Sequence, residues 1–178
     1  MSDIRIASRY AKSLMELANE KGATEAVFAN VEDLSLVCSN SKELMNLLKS
    51  PVIHADKKKQ VLKASFPGFH AITSLFIDAV VRKGRESFLP LIAKESIRIY
   101  NEQHNIVSAT VTSAIQLNDE LLNEIKSNLE SKTGKTVNVV TEVNSELIGG
   151  IVVRIGDRLF DASIASQLKK IKKQLVLN

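Results

Sequence analysis

The chain has 178 residues, enough for one domain or two small ones, and its 44% hydrophobic and 25% charged side chains are ordinary globular values. A lone cysteine, Cys38, excludes an internal disulfide and fits a reducing compartment, and no apolar run approaches the ~20 residues that span a bilayer. The net charge of +4 is mild, with 15 basic against 12 acidic side chains in residues 1–105 and 9 against 8 in residues 106–178, whereas a nucleic-acid binder would show a denser basic face with stacking aromatics.

Scarce aromatics, no Trp and seven Gly favour a helical protein packed with Leu, Ile, Val and Ala. Asp3 can cap a first helix to about Lys21, which Gly22 stops. Its apolar residues Ala7, Tyr10, Ala11, Leu14, Met15, Leu17 and Ala18 fill an arc of about 160°, wider than a single packing stripe of ~100°, so this helix should touch more than one neighbour. Thr24 starts a second helix with Val27, Val31, Leu34 and Cys38 on one face, Cys38 reading as a core thiol. Asn40 with Glu43 resembles a capping box for a short third helix, which Ser50-Pro51 ends. A fourth helix is expected over Asp56 to Phe66. Its run Lys57-Lys58-Lys59 reads as a solvated face, with anion binding as the alternative.

A fifth helix is expected from about Phe69 to Lys83, ended by Gly84. Ile72, Leu75, Phe76, Ala79 and Val80 make one apolar arc, and Ile77 and Val81 project from the other side. A helix apolar nearly all round is either central in a bundle or faces a partner, and the pattern alone leaves both open. A sixth helix runs from about Ser87 to Gln103, with Leu89, Ala93 and Tyr100 inward and Pro90 in its first turn.

The hydrophobic period then switches from 3.6 to 2 near Ile106, so Gln103-His104-Asn105 reads as a hinge between a helical bundle over 1–104 and a small α+β unit over 105–178. Val107, Ala109 and Val111 mark a half-exposed strand. Asn118 caps a helix with Leu121, Leu122, Ile125 and Leu129 on its inner face, and Gly134 terminates it. Val137, Val139, Thr141 and Val143 form a second strand. Gly149-Gly150 breaks the chain, Ile151, Val153 and Ile155 alternate as a strand, Gly156-Asp157 closes a hairpin, and Arg158-Leu159-Phe160 returns antiparallel. Asp161 or Ser163 can cap a last helix with the stripe Ile164, Leu168, Ile171 and Leu175. Its Lys169, Lys170, Lys172 and Lys173 read as a solvated face that complements the helix dipole.

Reactive chemistry has little purchase in this pattern. Gly134-Lys135-Thr136 ends like a phosphate loop, but the glycine required five residues earlier is Leu129, and the segment follows a helix and opens a strand. Gly149, Gly150 and Gly156 do not fit the dinucleotide fingerprint. His54, His70 and His104 have no ligand partner at i+3 or i+4, and no nucleophile elbow occurs. The residues therefore point to no catalytic, cofactor or metal site. A basic nucleic-acid-binding module using Lys57–Lys59 or the tail lysines is the alternative reading.

Three blocks carry a family resemblance: IASRYAKSLMELA at 6–18, RKGRESFLPLI at 82–92 and ELIGGIVVRIGDRLFDASIASQLKKI at 146–171. They resemble the delta subunit of F-type ATP synthases, relative of the mitochondrial oligomycin sensitivity-conferring protein, across nearly the whole chain. The chain departs from that family at Ala162, where glycine is common and where an αL conformation would cost ~1 kcal/mol, and at Met15, where phenylalanine is frequent. The resemblance implies a non-catalytic peripheral-stalk subunit, one copy per complex, with no cofactor. It implies a six-helix domain that binds the N-terminal helix of an alpha subunit between its first and fifth helices, and a C-terminal domain that meets the end of the b-type stalk subunits. It places the protein on the cytoplasmic face of a bacterial inner membrane, held there through partners and binding no nucleic acid. Family position and helical phase together put Tyr10, Ser13 and Leu14 opposite Ile77, Asp78, Val81 and Arg82 in the alpha-binding groove, so that Val81→Asp is expected to weaken binding by more than ~2 kcal/mol. Gly149, Gly150, Gly156, Asp157 and Asp161 are the expected structural residues of the hairpin.

Overall fold

The computed structural model describes residues 3–145, 147–156 and 158–176, with the side chains of residues 170, 171 and 173–176 outside that description. The chain is mainly helical, with one four-stranded sheet, and divides into two compact units, Met1–Asn101 and Glu102–Asn178. No helix among the described residues is long and apolar enough to cross a membrane.

The first unit holds α1 (Asp3–Glu20), α2 (Thr24–Asn40), α3 (Lys42–Lys49), α4 (Ala55–Ser65), α5 (Ala71–Arg82), a 3-10 turn over Glu86–Phe88 and most of α6 (Leu89–Gln103). Residues spaced three and four apart meet in one core: Ala7, Ala11, Leu14 and Ala18 from α1, Val27, Val31, Leu34 and Cys38 from α2, and Ile77, Val80 and Val81 from α5. The three alanines of α1 let neighbouring backbones approach closely. Phe28 stacks on Tyr100 at 3.7 Å, and the Tyr100 hydroxyl donates to the Glu25 carboxylate at 2.8 and 3.0 Å.

Two local expectations change here. The N-cap of α3 is Ser41, whose Oγ accepts from Leu44 N at 3.1 Å. Asn40 is the last residue of α2, and the helix continues one residue further than a cap there would allow. Lys58 is also no part of a solvated face. It is 3% exposed, and its Nζ donates to Glu86 Oε1 at 2.6 Å and to the Leu48 carbonyl at 3.2 Å. A lysine on the inner side of α4 can be buried because a carboxylate and a helix-end carbonyl meet it. Lys59 is likewise engaged, 2.9 Å from Asp78.

The second unit is a sheet of order β2-β1-β3-β4, formed by β1 (Ile106–Ser113), β2 (Thr136–Val143), β3 (Ile151–Ile155) and β4 (Arg158–Asp161), with α7 (Asp119–Thr133) and α8 (Ile164–Val176). β1 and β2 run parallel, from Ile106↔Thr136 to Ser113↔Val143, and α7 is the crossover that a parallel pair requires. β3 pairs antiparallel with β1 (Val111↔Val153) and with β4 (Val153↔Phe160). Ala109, Val111, Val137 and Val153 are the buried centre, with Ile125 and Leu129 of α7 packed on it. Leu121, expected inside, is 46% exposed, because it sits in the first turn of α7 beyond the sheet contact. Asn118 caps α7, its side-chain oxygen accepting from Leu121 N at 3.1 Å. Asn105, just past α6, has φ 54°, the left-handed conformation that ends a helix.

The hairpin turns at Gly156, φ 54°; Asp157 lies outside the described residues. Gly149-Gly150 does more than end a loop. A Cβ at Gly150, φ 80°, would sit 2.5 Å from the Ala162 carbonyl oxygen and 2.9 Å from Ser163 Cα. The glycine pair is the surface on which the start of α8 rests, with Ile164 N donating to the Gly149 carbonyl at 3.0 Å. Asp161 and Ser163 share the capping of α8: Ser163 N and Ser166 Oγ donate to the Asp161 carboxylate at 2.9 and 2.5 Å, and Ser166 N donates to Ser163 Oγ at 3.3 Å. Ala162 does not take positive φ, so alanine carries no left-handed penalty there.

Candidate partner-binding face

α1 and α5 are neighbours in the core of the first unit, and each also carries an apolar stripe outside it. On α1 the buried face is Ala7, Ala11, Leu14, Met15 and Ala18. Ile6, Tyr10, Ser13 and Leu17 recur at i, i+4, i+7 and i+11, which places them on one strip roughly 110° round the helix from the buried face. Ile6 and Tyr10 are half-buried, Ser13 is exposed and Leu17 is 41% exposed. On α5 the buried face is Thr73, Ile77, Val80 and Val81, while Leu75 is 69% exposed, Ala79 is exposed, and Ile72 and Phe76 are half-buried. The two stripes join where the Tyr10 ring meets the Phe76 ring edge-on at 6.2 Å. The Arg85 guanidinium lies 5.7 Å over the other part of this junction, on the Tyr10 ring, where its charge gains from the ring's negative face.

Several expected site residues therefore stand elsewhere. Leu14, Ile77 and Val81 are 2%, 6% and 3% exposed, so they form the core beneath the seam and offer no free surface. Their burial corrects the expectation that they face a visiting helix, and a charge at Val81 would break the fold before it tested any interface. Asp78 lies roughly 160° round α5 from Phe76 and faces α4, 2.9 Å from Lys59 Nζ and 3.3 Å from Lys63 Nζ. Burial alone would raise the Asp78 carboxyl, but hydrogen bonds and charge from Lys59 and Lys63 outweigh it and hold the group below the ordinary range. Tyr10 and Ser13 do line the seam, and Arg82 is exposed at the end of α5.

Sequence reasoning saw both apolar sides of α5 and the wide arc of α1, yet it did not tell the inside from the outside. Ile72, Leu75, Phe76 and Ala79 are more numerous than Ile77 and Val81, so a count of apolar residues favours the wrong side as core. The usable signal was the acid: Asp78 beside Ile77 needs the α4 lysines, which fixes that side against α4. Cys38 offers no chemistry, since burial pushes its thiol up to about 11. No group of three His, Cys, Asp or Glu among the described residues could hold a metal ion.

The family model described as "ATP synthase delta (OSCP) subunit" matches residues 6–175. The chain is 36% identical over 175 residues to the "ATP synthase subunit delta" of Christiangramia forsetii, covering 98% of this chain and 95% of that one. It is 36% identical to the protein of that name from Carboxydothermus hydrogenoformans, covering 98% and 99%, and 38% identical to that from Shouchella clausii, covering 99% and 98%. A chain in the cryo-EM structure of the Toxoplasma gondii mitochondrial ATP synthase hexamer shares the fold, with a TM-score of 0.73, 17% identity, and coverage of 96% of this chain and 97% of that chain. With a family model matched over residues 6–175 and relatives of this identity over nearly the whole length, the chain belongs to the ATP synthase delta (OSCP) subunit family.

Proposed function

We propose that this chain is a non-catalytic peripheral-stalk subunit of an F-type ATP synthase, tying the catalytic head to the membrane-anchored b-type subunits and resisting rotor torque. The observation that carries the reading is the apolar seam of α1 and α5, where Leu17 and Leu75 stay exposed beside the half-buried Ile6, Tyr10, Ile72 and Phe76. An amphipathic helix laid along Ile6, Tyr10, Leu17, Leu75 and Phe76 would cover it. The occupant is the N-terminal helix of an alpha subunit, and α1 to α6 act as one bundle that presents the seam. The C-terminal unit grips the b-type subunit, and the protein is held at the cytoplasmic face of the membrane through these partners, one copy per complex. A tether under torque needs slow dissociation, and buried aliphatic and aromatic contact supplies it.

Titration of the full chain with a synthetic alpha N-terminal peptide tests the seam. Leu75 is 69% exposed, so Leu75→Asp should leave the fold intact and weaken peptide binding by about 2 kcal/mol. Unchanged affinity in a correctly folded variant would remove the seam as the alpha site.

A further inference from the structure

β1 and β3 lie inside the sheet, and β2 and β4 are its edges. The two edges differ. β4 has four residues, two of them charged, and so short an edge resists further pairing. β2 has eight residues, TVNVVTEV, of which six are β-branched and only Glu142 is charged. It carries no lysine or proline to discourage pairing, and no strand lies beyond it among the described residues.

Register tells which main-chain groups this edge presents. In a strand paired on one side, alternate residues turn their N–H and C=O groups toward the neighbour and away from it. Asn144 N donates to the Ser113 carbonyl at 2.8 Å, which turns the even-numbered residues of β2 toward β1. Val137 N points the other way and donates to Glu130 Oε1 of α7 at 3.1 Å. Val139, Thr141 and Val143 follow Val137 in this alternation, and their outward main-chain groups have no partner among the described residues. The side chains are open as well, Val140 being 49% and Val143 60% exposed.

We infer that two copies of this chain pair antiparallel through their β2 edges, with the two-fold axis at Val140. The sequence of β2 is self-complementary in that register. Val139 opposes Thr141 of the second copy, and the two exchange both hydrogen bonds. Val140 opposes Val140 in a non-hydrogen-bonded pair, where side chains come closest. Val143 opposes Val137 and Glu142 opposes Asn138, so no like charges meet. Moving the axis to Val139 would set Thr141 against the Val137 N–H that Glu130 already holds. Moving it to Thr141 would set Glu142 against Val140. One strand per copy makes a small interface, so the pair forms only as concentration rises. The inference goes beyond the stalk reading and does not rest on it; in that reading one copy enters each complex, so the pair separates before assembly.

Sedimentation velocity of the full chain over a wide range of concentration tests the pairing, and a concentration-dependent dimer is expected. Thr141→Pro removes an outward N–H and leaves the ladder with β1 intact. Val140→Lys sets like charges against each other across the axis. Each should weaken dimerisation about tenfold, while Leu159→Lys on the other edge strand, 57% exposed, should leave it unchanged. Far-UV circular dichroism checks that each variant is folded. The register has its own readout. Opposed Cα atoms in a non-hydrogen-bonded pair lie about 4.5 Å apart, within disulfide reach. Val140→Cys should therefore cross-link two chains on mild oxidation and Asn138→Cys should not, with the wild type, whose Cys38 is buried, as the background. A chain that stays monomeric at every concentration would overturn the proposal and leave the edge to an extended segment of another protein. A dimer undiminished in the folded Thr141→Pro and Val140→Lys variants would move the contact to another surface and overturn it equally. Cross-linking through Asn138→Cys but not Val140→Cys would overturn the axis at Val140 and the proposal with it.

Discussion

The Lys58 ammonium is the most constrained charge among the described ion pairs, 3% exposed and held between Glu86 Oε1 and the Leu48 carbonyl. Taking such a pair out of water costs nearly what the attraction returns, so the pair contributes little net stability, but breaking it leaves a buried charge. Lys58→Met is expected to cost about 3 kcal/mol by urea denaturation, with Lys58→Met, Glu86→Leu recovering most of that loss; equal losses in both would show that the charges are not coupled. Asp78 gives a pH signature. Its folded carboxyl titrates below the unfolded one, so the unfolded chain takes up the proton first as pH falls. The stabilisation is complete above about pH 4, the ordinary aspartate range, and is lost as pH falls through the folded value. The stability gap between wild type and Asp78→Asn should therefore be present at neutral pH and shrink under acid. A gap independent of pH would mean that Lys59 and Lys63 do not act through charge.

Elements are bounded by caps, and caps separate residues that look alike in sequence. Ser41→Ala should cost about 1 kcal/mol, because Leu44 N loses its acceptor, while Asn40→Ala should cost only a few tenths. Urea midpoints of the two variants decide it, and a larger loss at Asn40 would reverse the assignment. Asn40 and Ser41 are both good caps, so local chemistry cannot choose between them; the length of α2 does. The same limit explains what was legible elsewhere. Helix spans, the strand alternation at Val107–Val111 and the Gly149-Gly150 break are written in nearest-neighbour pattern and could be read. The burial of Lys58 depends on Glu86, 28 residues away, and the parallel pairing of β1 with β2 depends on register across α7. Which side of α5 faces inward depends on Asp78 finding Lys59 and Lys63. Tyr10 and Ser13 were placed by family resemblance together with helical phase, which put the buried Leu14 beside them as well; Ile77 and Val81 were misplaced because α5 has two apolar sides of similar hydrophobicity.

At the scale of the molecule, the two units have separate cores of unequal size. One is built from α1 to α6, with Leu48, Leu62, Leu89 and Ile92 among its closed side chains; the other has Ala109, Val111, Val137 and Val153 at its centre. Burial of apolar surface is the main stabilising term, so the second unit should unfold first. The chain itself supplies the probes. Its two tyrosines, Tyr10 and Tyr100, both lie in the first unit, and there is no Trp. Tyrosine fluorescence therefore reports that unit alone, while far-UV circular dichroism reports both. In a urea titration the dichroism is expected to begin falling at lower denaturant than the fluorescence changes, a separation that a single cooperative transition forbids. Superimposed curves would mean that the units unfold as one. The proposed partners add a second expectation, because a ligand that binds only the folded state raises its apparent stability with concentration. A peptide of the C-terminal helix of the b-type subunit should move the early dichroism transition to higher urea and leave the tyrosine transition in place. An alpha N-terminal peptide should move the tyrosine transition instead, and a peptide that shifted the wrong transition would assign its helix to the other unit.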